Sequence, residues 1–286
     1  MNNTISNPIS RIIVAIDFSG DSMNALKHAM LWCNAIQCDM RLLHIQKKEK
    51  YDVPEYFENL ETQHTKSIED ILIYLVDKYR KNYNVKNGIF DYVVREGRVH
   101  TEITEYAANE ESALIIMGTH GVSGFEEYWV GSTAFKVVMK SPCPVLTIRN
   151  GFPIVMPKRI VVPIDVTNQT RQKVPLMAEL AGRFGSEIHL LGVRETETKE
   201  VITRINQYVD QVAEYLENKG VSLIIESSNG GNITDLTIEY AKEVDADLIS
   251  IMTEQTERPE NLWLGPYAQQ MVNHSPIPVL SMHPIE

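Results

Sequence analysis

Cysteine is scarce in this chain, and long apolar runs are absent. Only three of its 286 residues are cysteines, at positions 33, 38 and 143, an odd set that forms no framework of disulfide pairs and suits a reducing compartment. No apolar run reaches the roughly 18 residues that cross a bilayer, and the polar residues 1–10 lack the apolar core of a signal peptide. We therefore expect a cytoplasmic protein that does not bind a membrane.

Basic residues are outnumbered, and several enzyme signatures are missing. The chain has 27 lysines and arginines against 38 aspartates and glutamates, which gives a formal net charge of −11. Because an acidic surface repels a phosphate backbone, no nucleic acid partner is expected. No Gly-x4-Gly-Lys-Ser/Thr sequence and no Gly-x-Gly-x2-Gly after a strand occurs. Cys33 and Cys38 are five residues apart on a predicted helix and are not expected to share a face, so no metal site is predicted. No Ser-His-Asp order and no general base aimed at a phosphate stands out, so no catalytic residue is predicted.

An internal repeat covers most of the chain. Residues 11–17, Arg-Ile-Ile-Val-Ala-Ile-Asp, match residues 159–165, Arg-Ile-Val-Val-Pro-Ile-Asp, at an offset of 148. Residues 141–146, Ser-Pro-Cys-Pro-Val-Leu, match residues 275–280, Ser-Pro-Ile-Pro-Val-Leu, at an offset of 134. The change of offset predicts 14 extra residues in the first half, which we expect within residues 47–60. The repeat predicts two domains, 1–152 and 153–286, joined near a segment with one glycine and two prolines.

Each half alternates between short apolar runs and segments of helical period. In the first half, residues 12–17 are almost wholly apolar, as in a strand buried on both faces, and residues 21–36 have a helical period. The same alternation predicts strands at 41–45, 89–94, 113–117 and 145–148 and helices at 62–79, around 99–107 and at 132–139. Alternation at this spacing predicts an α/β fold, a parallel sheet with helices on both faces.

The ends of the first and fourth predicted strands carry the residues that suit a ligand. In an open parallel sheet, ligands bind beyond the carboxyl ends of the strands, where the strand order reverses. Asp17-Phe-Ser follows the first strand, and Gly118-x2-Gly121-x9-Gly131-Ser132-Thr133 follows the fourth. Glycines allow a phosphate to approach the backbone, and the free N–H groups at a helix start favour an anion. Turn glycines and a capping aspartate remain the alternative explanation for these residues.

This glycine pattern, together with Ser-Pro-Cys-Pro-Val-Leu, resembles the universal stress protein family over essentially the whole chain. The resemblance implies two tandem flavodoxin-like (adenine nucleotide alpha hydrolase-like) domains, each with a five-stranded parallel sheet of order 3-2-1-4-5. It also implies an adenine nucleotide, ATP, ADP or AMP, with or without Mg²⁺. By position, its binding residues would be Ala15, Asp17, Ile45, Met117, Gly118, His120, Gly121, Gly131, Ser132 and Thr133.

The second half departs from this pattern. Met252 stands in place of Gly118, Gln255 in place of Gly121 and Pro266 in place of Ser132, and Glu254 and Glu257 add negative charge. Side chains then occupy the expected phosphate path, and proline has no N–H to donate. We expect nucleotide binding in the first domain alone.

The resemblance suggests a non-enzymatic stress-response or signalling module that binds ATP. Its last strands, 145–148 and 279–282, are expected to pair within the chain as a pseudo-dimer; further homo-oligomers and a protein partner of unknown identity stay open. Two other functions remain open: a slow Mg²⁺-dependent ATP hydrolase, and a small-molecule or lipid-binding scaffold that uses Leu262, Trp263 and Leu264. The aromatic residues Tyr51, Tyr56 and Phe57 are expected either to cover the adenine or to form an oligomer contact.

Overall fold

The computed structural model divides the chain into two compact units. It describes residues 9–46, 67–111, 113–119, 131–253 and 266–285. One unit consists of Ile9–Ile154, and the other begins at Val155. The domain limits 1–152 and 153–286 stay a prediction, and the text below refers to the first and the second unit. The predicted insertion at residues 47–60 and its aromatic residues lie outside the described residues.

The first unit alternates strands and helices as predicted. Its strands are β1 (Arg11–Ala15), β2 (Asp39–Gln46), β3 (Phe90–Glu96), β4 (Ala113–Gly118) and β5 (Val145–Ile148). Its helices within the described residues are α1 (Gly20–Ile36), α2 (Ile68–Arg80), α3 (Val99–Ala108) and α4 (Ser132–Lys140). The predicted bounds differ from these by a few residues at most, except at the start of α2, where part of the predicted helix lies outside the described residues.

All strand pairs of the first unit are parallel, in the order β3-β2-β1-β4-β5. Ile12 of β1 lies opposite Met40 of β2 on one side and Leu114 of β4 on the other. The chain leaves β1 toward β2 and returns on the other side of β1 as β4, so the order reverses between β1 and β4. Every residue of β4 and β5 is buried, because helices cover both faces of the sheet. The predicted fold class is confirmed.

The second unit repeats this order. Its strands are β6 (Arg159–Ile164), β7 (Glu187–Arg194), β8 (Ser222–Asn229), β9 (Leu248–Met252) and β10 (Val279–Met282), in the order β8-β7-β6-β9-β10. Its helices within the described residues are a 3-10 turn (Asn168–Arg171), α5 (Val174–Phe184), α6 (Lys199–Asn218), α7 (Ile233–Glu243) and α8 (Pro266–His274). None of the helices described here has the length and apolar character needed to cross a bilayer.

The expectation that Cys33 and Cys38 stand apart on one helix is wrong. Helix α1 ends at Ile36, and Gln37 takes the left-handed conformation with φ 62°. The chain therefore turns before Cys38, and the two sulfur atoms lie 3.5 Å apart inside the first unit.

Candidate functional site

The segment after β1 forms a tight turn around Asp17. The carboxylate oxygen Oδ1 of Asp17 accepts hydrogen bonds from the backbone N–H and the hydroxyl of Ser19, at 3.1 and 2.6 Å. The Ser19 hydroxyl in turn accepts the N–H of Ser22 at 3.2 Å and caps α1. Asp17 thus orients the residue that caps the helix, as one would expect of an aspartate at a helix start.

The start of α4 is fixed to the end of β4 by one backbone hydrogen bond. The N–H of Gly131 donates to the carbonyl of Thr119 at 2.7 Å, although 11 residues separate the two in the chain. Gly131 has no side chain that could cap the helix, and the first N–H groups of an α-helix have no acceptor within the helix. The amides that open α4 therefore begin at the carboxyl edge of β4, next to β1 in the sheet.

Thr119 also connects this edge to the start of α1. Its hydroxyl lies 3.5 Å from Oδ2 of Asp21, which is buried in the first turn of α1. Because Asp21 follows Asp17 by four residues, the ends of β1 and β4 and the starts of α1 and α4 meet in one place. The structure brings Asp17, Gly118, Gly131 and the start of α4 together at the point where the strand order reverses.

Gly118 has a packing reason to be glycine. A Cβ atom at this position would lie 2.6 Å from Cβ of Asp21 and 2.8 Å from its carbonyl carbon. Side-chain atoms do not approach backbone this closely, so any larger residue would force α1 away from β4. The sequence motif alone suggested only that a phosphate needs this glycine; the structure adds that α1 needs it too.

Two further groups shape the charge at this edge. Arg149 follows β5, and burial lowers the pKa of its guanidinium, an effect that the Asp21 carboxylate opposes. His44 of β2 is buried, stacks on Phe18 with ring centroids 4.8 Å apart, and places Nδ1 2.8 Å from the carbonyl oxygen of Ile16. Burial lowers the pKa of His44, which keeps the ring neutral near pH 7.

The remaining predicted residues fall at various depths along the same edge. Ala15 ends β1, and the buried residues Ile45 and Met117 lie near the ends of β2 and β4. Ser132 is exposed and Thr133 half-buried at the start of α4. His120 and Gly121 lie outside the described residues. Sequence reasoning missed Asp21, Thr119 and Arg149; no pattern in the sequence marks them, because their roles depend on contacts between distant segments.

The second unit keeps the aspartate turn and changes what surrounds it. Oδ1 of Asp165 accepts hydrogen bonds from the N–H and the hydroxyl of Thr167, at 2.7 and 2.6 Å. The turn therefore does not depend on a glycine motif. The first helix starts later, after a 3-10 turn, and Met252 ends β9 where the first unit has Gly118. Helix α8 begins with Pro266, which lacks an N–H. Gln255, Glu254 and Glu257 lie outside the described residues.

The described part of the chain contains no group of three or more histidine, cysteine, aspartate and glutamate side chains that could hold a metal ion. The edge between β1 and β4 holds the Asp17 and Asp21 carboxylates, the Thr119 hydroxyl and the start of α4. This arrangement defines the class: a doubly wound α/β domain whose switch point carries a helix start that no described side chain caps, present in duplicate and altered in the second copy.

The chain belongs to the universal stress protein family, which matches it twice, at residues 8–149 and 156–283. Universal stress protein YxiE of Bacillus subtilis is 28% identical over 149 residues, which are 49% of this chain and 99% of that protein. Universal stress protein MJ0577 of Methanocaldococcus jannaschii is 28% identical over 152 residues, 49% of this chain and 94% of that protein. A crystal structure of a universal stress protein from Archaeoglobus fulgidus has a TM-score of 0.73 at 18% identity and covers 96% of this chain and 98% of that chain. The predicted tandem family membership is thus confirmed.

Proposed function

We propose that this protein binds an adenine nucleotide at the carboxyl edge of its first domain and acts as a non-enzymatic stress-response or signalling module in the cytoplasm. The nucleotide is ATP, ADP or AMP. Its phosphates lie beside Gly131, against the amides of Ser132 and Thr133, and Asp17 accepts hydrogen bonds from the ribose. The adenine lies toward the end of β2, near Ile45.

One observation carries this proposal: the hydrogen bond from Gly131 N–H to the Thr119 carbonyl, which holds an uncapped helix start beside the end of β1. An anion gains from both the free N–H groups and the helix dipole at such a place. The cleft lies within a protein of net charge −11, so the attraction must be local rather than a property of the whole surface. The proposed signal is a nucleotide-dependent change in residues 122–130, which lie outside the described residues, and a partner protein would recognise it.

Calorimetric titration of the full chain with ATP tests the site. Gly131 has φ −54°, a value that any residue adopts, so Gly131→Glu adds a carboxylate without backbone strain. We expect this variant to bind ATP at least about tenfold more weakly, a loss of roughly 1.4 kcal/mol, because the carboxylate repels the phosphates. Equal affinities for the wild type and Gly131→Glu would refute the assignment of the phosphates to α4.

The second unit offers a matched control for Asp17. An asparagine Oδ1 can accept the same two hydrogen bonds that Oδ1 accepts in each aspartate turn, so Asp17→Asn and Asp165→Asn both keep these hydrogen bonds. Asp165→Asn also removes the charge that acts on Lys173 in the second unit, so the folded state of both variants is checked by circular dichroism. If Asp17 holds the ribose, Asp17→Asn weakens ATP binding by roughly tenfold or more while Asp165→Asn leaves it unchanged. Equal losses in both variants, or none in either, would contradict the role of Asp17.

The stoichiometry of the same titration tests for a second binding site, and a phosphate-release assay tests for catalysis. We expect one equivalent of nucleotide per chain, because the second unit has Met252 and Pro266 where the first has glycine and serine. Phosphate release above background that stops in Gly131→Glu would instead establish slow hydrolysis at this site. Two equivalents per chain would show that the second unit still binds.

A further inference from the structure

The closest pair of thiols in the described residues belongs to no part of the proposed nucleotide site. The sulfur atoms of Cys33 and Cys38 are 3.5 Å apart, and neither cysteine is in a disulfide. Their exposed fractions are 0% and 4%, respectively. The pair lies where α1 ends and β2 begins, at the amino end of β2, whereas the proposed site lies beyond the carboxyl ends of the strands.

The way α1 ends brings the two sulfur atoms together. The carbonyl of Cys33 accepts hydrogen bonds from the N–H of Gln37 at 2.7 Å and from the N–H of Cys38 at 3.4 Å, and Gln37 adopts the left-handed conformation. Helices that end in this way pack the residue after the left-handed position against the residue five positions before it. Here both members of that contact are cysteines, so the thiols face each other because of backbone geometry.

The second unit shows that this helix end does not need sulfur. Helix α5 ends with Gly185 at φ 66°, and the carbonyl of Ala181 accepts the N–H groups of Gly185 and of Ser186, the latter at 2.9 Å. Ala181 and Ser186 lie 148 positions after Cys33 and Cys38, so they are their counterparts in the repeat. The same turn therefore closes with alanine and serine, and the pair of thiols is an addition specific to the first unit.

The buried pair of thiols lies next to an exposed residue at the end of α1. Gln37, the residue immediately before Cys38, is exposed. Burial raises the pKa of Cys33 well above its ordinary value, so its thiolate forms chiefly when the helix end opens. Helix ends open locally far more often than a whole domain unfolds, so reaction through this opening is slow yet possible in the native protein. Cys143 lies elsewhere, after α4, with its sulfur 3.5 Å from the hydroxyl of Ser141.

We propose that Cys33 and Cys38 are a site of reversible oxidation, at which a peroxide converts the facing thiols into an intramolecular disulfide. One thiolate attacks an oxygen of hydrogen peroxide, the O–O bond breaks, and a sulfenic acid and one water result once the leaving hydroxide takes a proton. The second sulfur attacks the sulfenic sulfur, the S–O bond breaks, and the S–S bond forms with loss of a second water. Two thiols thus lose two electrons, and the peroxide is reduced to two waters. The sulfur atoms must approach by about 1.5 Å to reach bonding distance.

The experiment uses the full chain, reduced and then freed of reductant, treated with millimolar hydrogen peroxide and quenched with N-ethylmaleimide in denaturant. We expect the wild type and Cys143→Ser to lose two alkylatable thiols, with the chain about 2 Da lighter before alkylation, and dithiothreitol to restore both thiols. The control variants Cys33→Ala and Cys38→Ser copy the residues of the second unit and are expected to fold. Neither control should form the disulfide.

Peptide mapping distinguishes the outcomes. A cross-linked peptide that joins residues 33 and 38 supports the proposal. Full alkylation of both cysteines after peroxide treatment overturns it, and so does a disulfide that involves Cys143. Addition of oxygen atoms to either cysteine in Cys143→Ser, without a cross-link, also overturns it, because a facing thiol should capture the sulfenic acid first.

Discussion

Lys173 is a buried lysine in the second unit, and replacing it should change how the free energy of unfolding depends on pH. Its side chain is 2% exposed, and its ammonium group donates to the carbonyl of Thr170 at 2.5 Å and lies 3.4 Å from the Thr170 hydroxyl. Burial lowers the pKa of Lys173 from 10.5 to about 8, although the negative charge of Asp165 opposes this effect. The folded state therefore favours the neutral amine of Lys173 over the charged ammonium more than the unfolded chain does.

The size and sign of the effect follow from the two pKa values. A difference of about 2.5 pKa units corresponds to ~3 kcal/mol of destabilisation while Lys173 is protonated in both the folded and the unfolded chain, that is, below pH 8. Between pH 8 and pH 10.5 the unfolded chain binds more protons, so stability rises with pH and the penalty disappears. About 2.5 kcal/mol of it should be relieved between roughly pH 7 and pH 10.

Lys173→Met removes this contribution and keeps a similar volume. At neutral pH the gain is partly offset, because the Thr170 carbonyl loses a donor at a cost of about 1–3 kcal/mol. The sharper measurement is the difference in unfolding free energy between variant and wild type, from urea titrations followed by circular dichroism at about pH 7 and pH 10. We expect that difference to move by ~2.5 kcal/mol in favour of the wild type at the higher pH, and the exposed control Lys242→Met to show no such change. The same difference at both pH values would refute the view that Lys173 is charged and desolvated.

Three other predictions address packing, charge and acid sensitivity. Gly118→Ala is expected to lower the urea midpoint of unfolding markedly, because its Cβ would lie 2.6 Å from that of Asp21. In the control Gly182→Ala the new Cβ meets nothing within 4 Å, so this variant should stabilise α5 by about 0.5–1 kcal/mol. Equal effects of the two variants would contradict the close approach of α1 to β4. Arg41→Leu removes a guanidinium that bonds two carboxylates and a tyrosine hydroxyl, and should lower the unfolding free energy by about 2–4 kcal/mol in urea titrations. Burial lowers the pKa of four histidines below 6.5, namely His28, His44, His100 and His189. The melting temperature should therefore fall as pH drops below that value, and less steeply in His44→Gln.

The fold could be predicted from the sequence because its signals are local and repeated. Buried parallel strands are short apolar runs, the helices between them have a clear period, and each appears twice in register. The order of the strands could not be derived in this way, since it depends on which distant segments pair; the resemblance to a family supplied it. The Cys33–Cys38 contact was missed for a related reason, because spacing along a helix says nothing once a left-handed residue ends that helix.

For the candidate site, the sequence indicated which residues belong to it more readily than the contacts that require those residue types. The motif pointed to Gly118 and Gly131 as ligand-binding glycines, and the structure adds that Gly118 must admit Asp21, which lies 97 positions earlier in the chain. The sequence predicts a capping role for Asp17, and Oδ1 of Asp165 accepts the equivalent hydrogen bonds, so the turn itself accounts for an aspartate in both units. Whether Asp17 also serves a ligand depends on its surroundings, which short-range sequence patterns do not describe.

The residues around Asp17 and those around Asp165 differ at positions that match in the repeat. In the second unit, the charge of Asp165 acts on the buried ammonium of Lys173. The first unit has Ala25 at the position 148 residues earlier, so Asp17 has no such internal lysine to neutralise. The second unit combines a late helix start with buried Met252 and Lys173, whereas the early start of α1 in the first unit needs Gly118. An edge that satisfies its own charge has little to offer a phosphorylated ligand, and this contrast is the physical reason to expect a single nucleotide site in a duplicated chain.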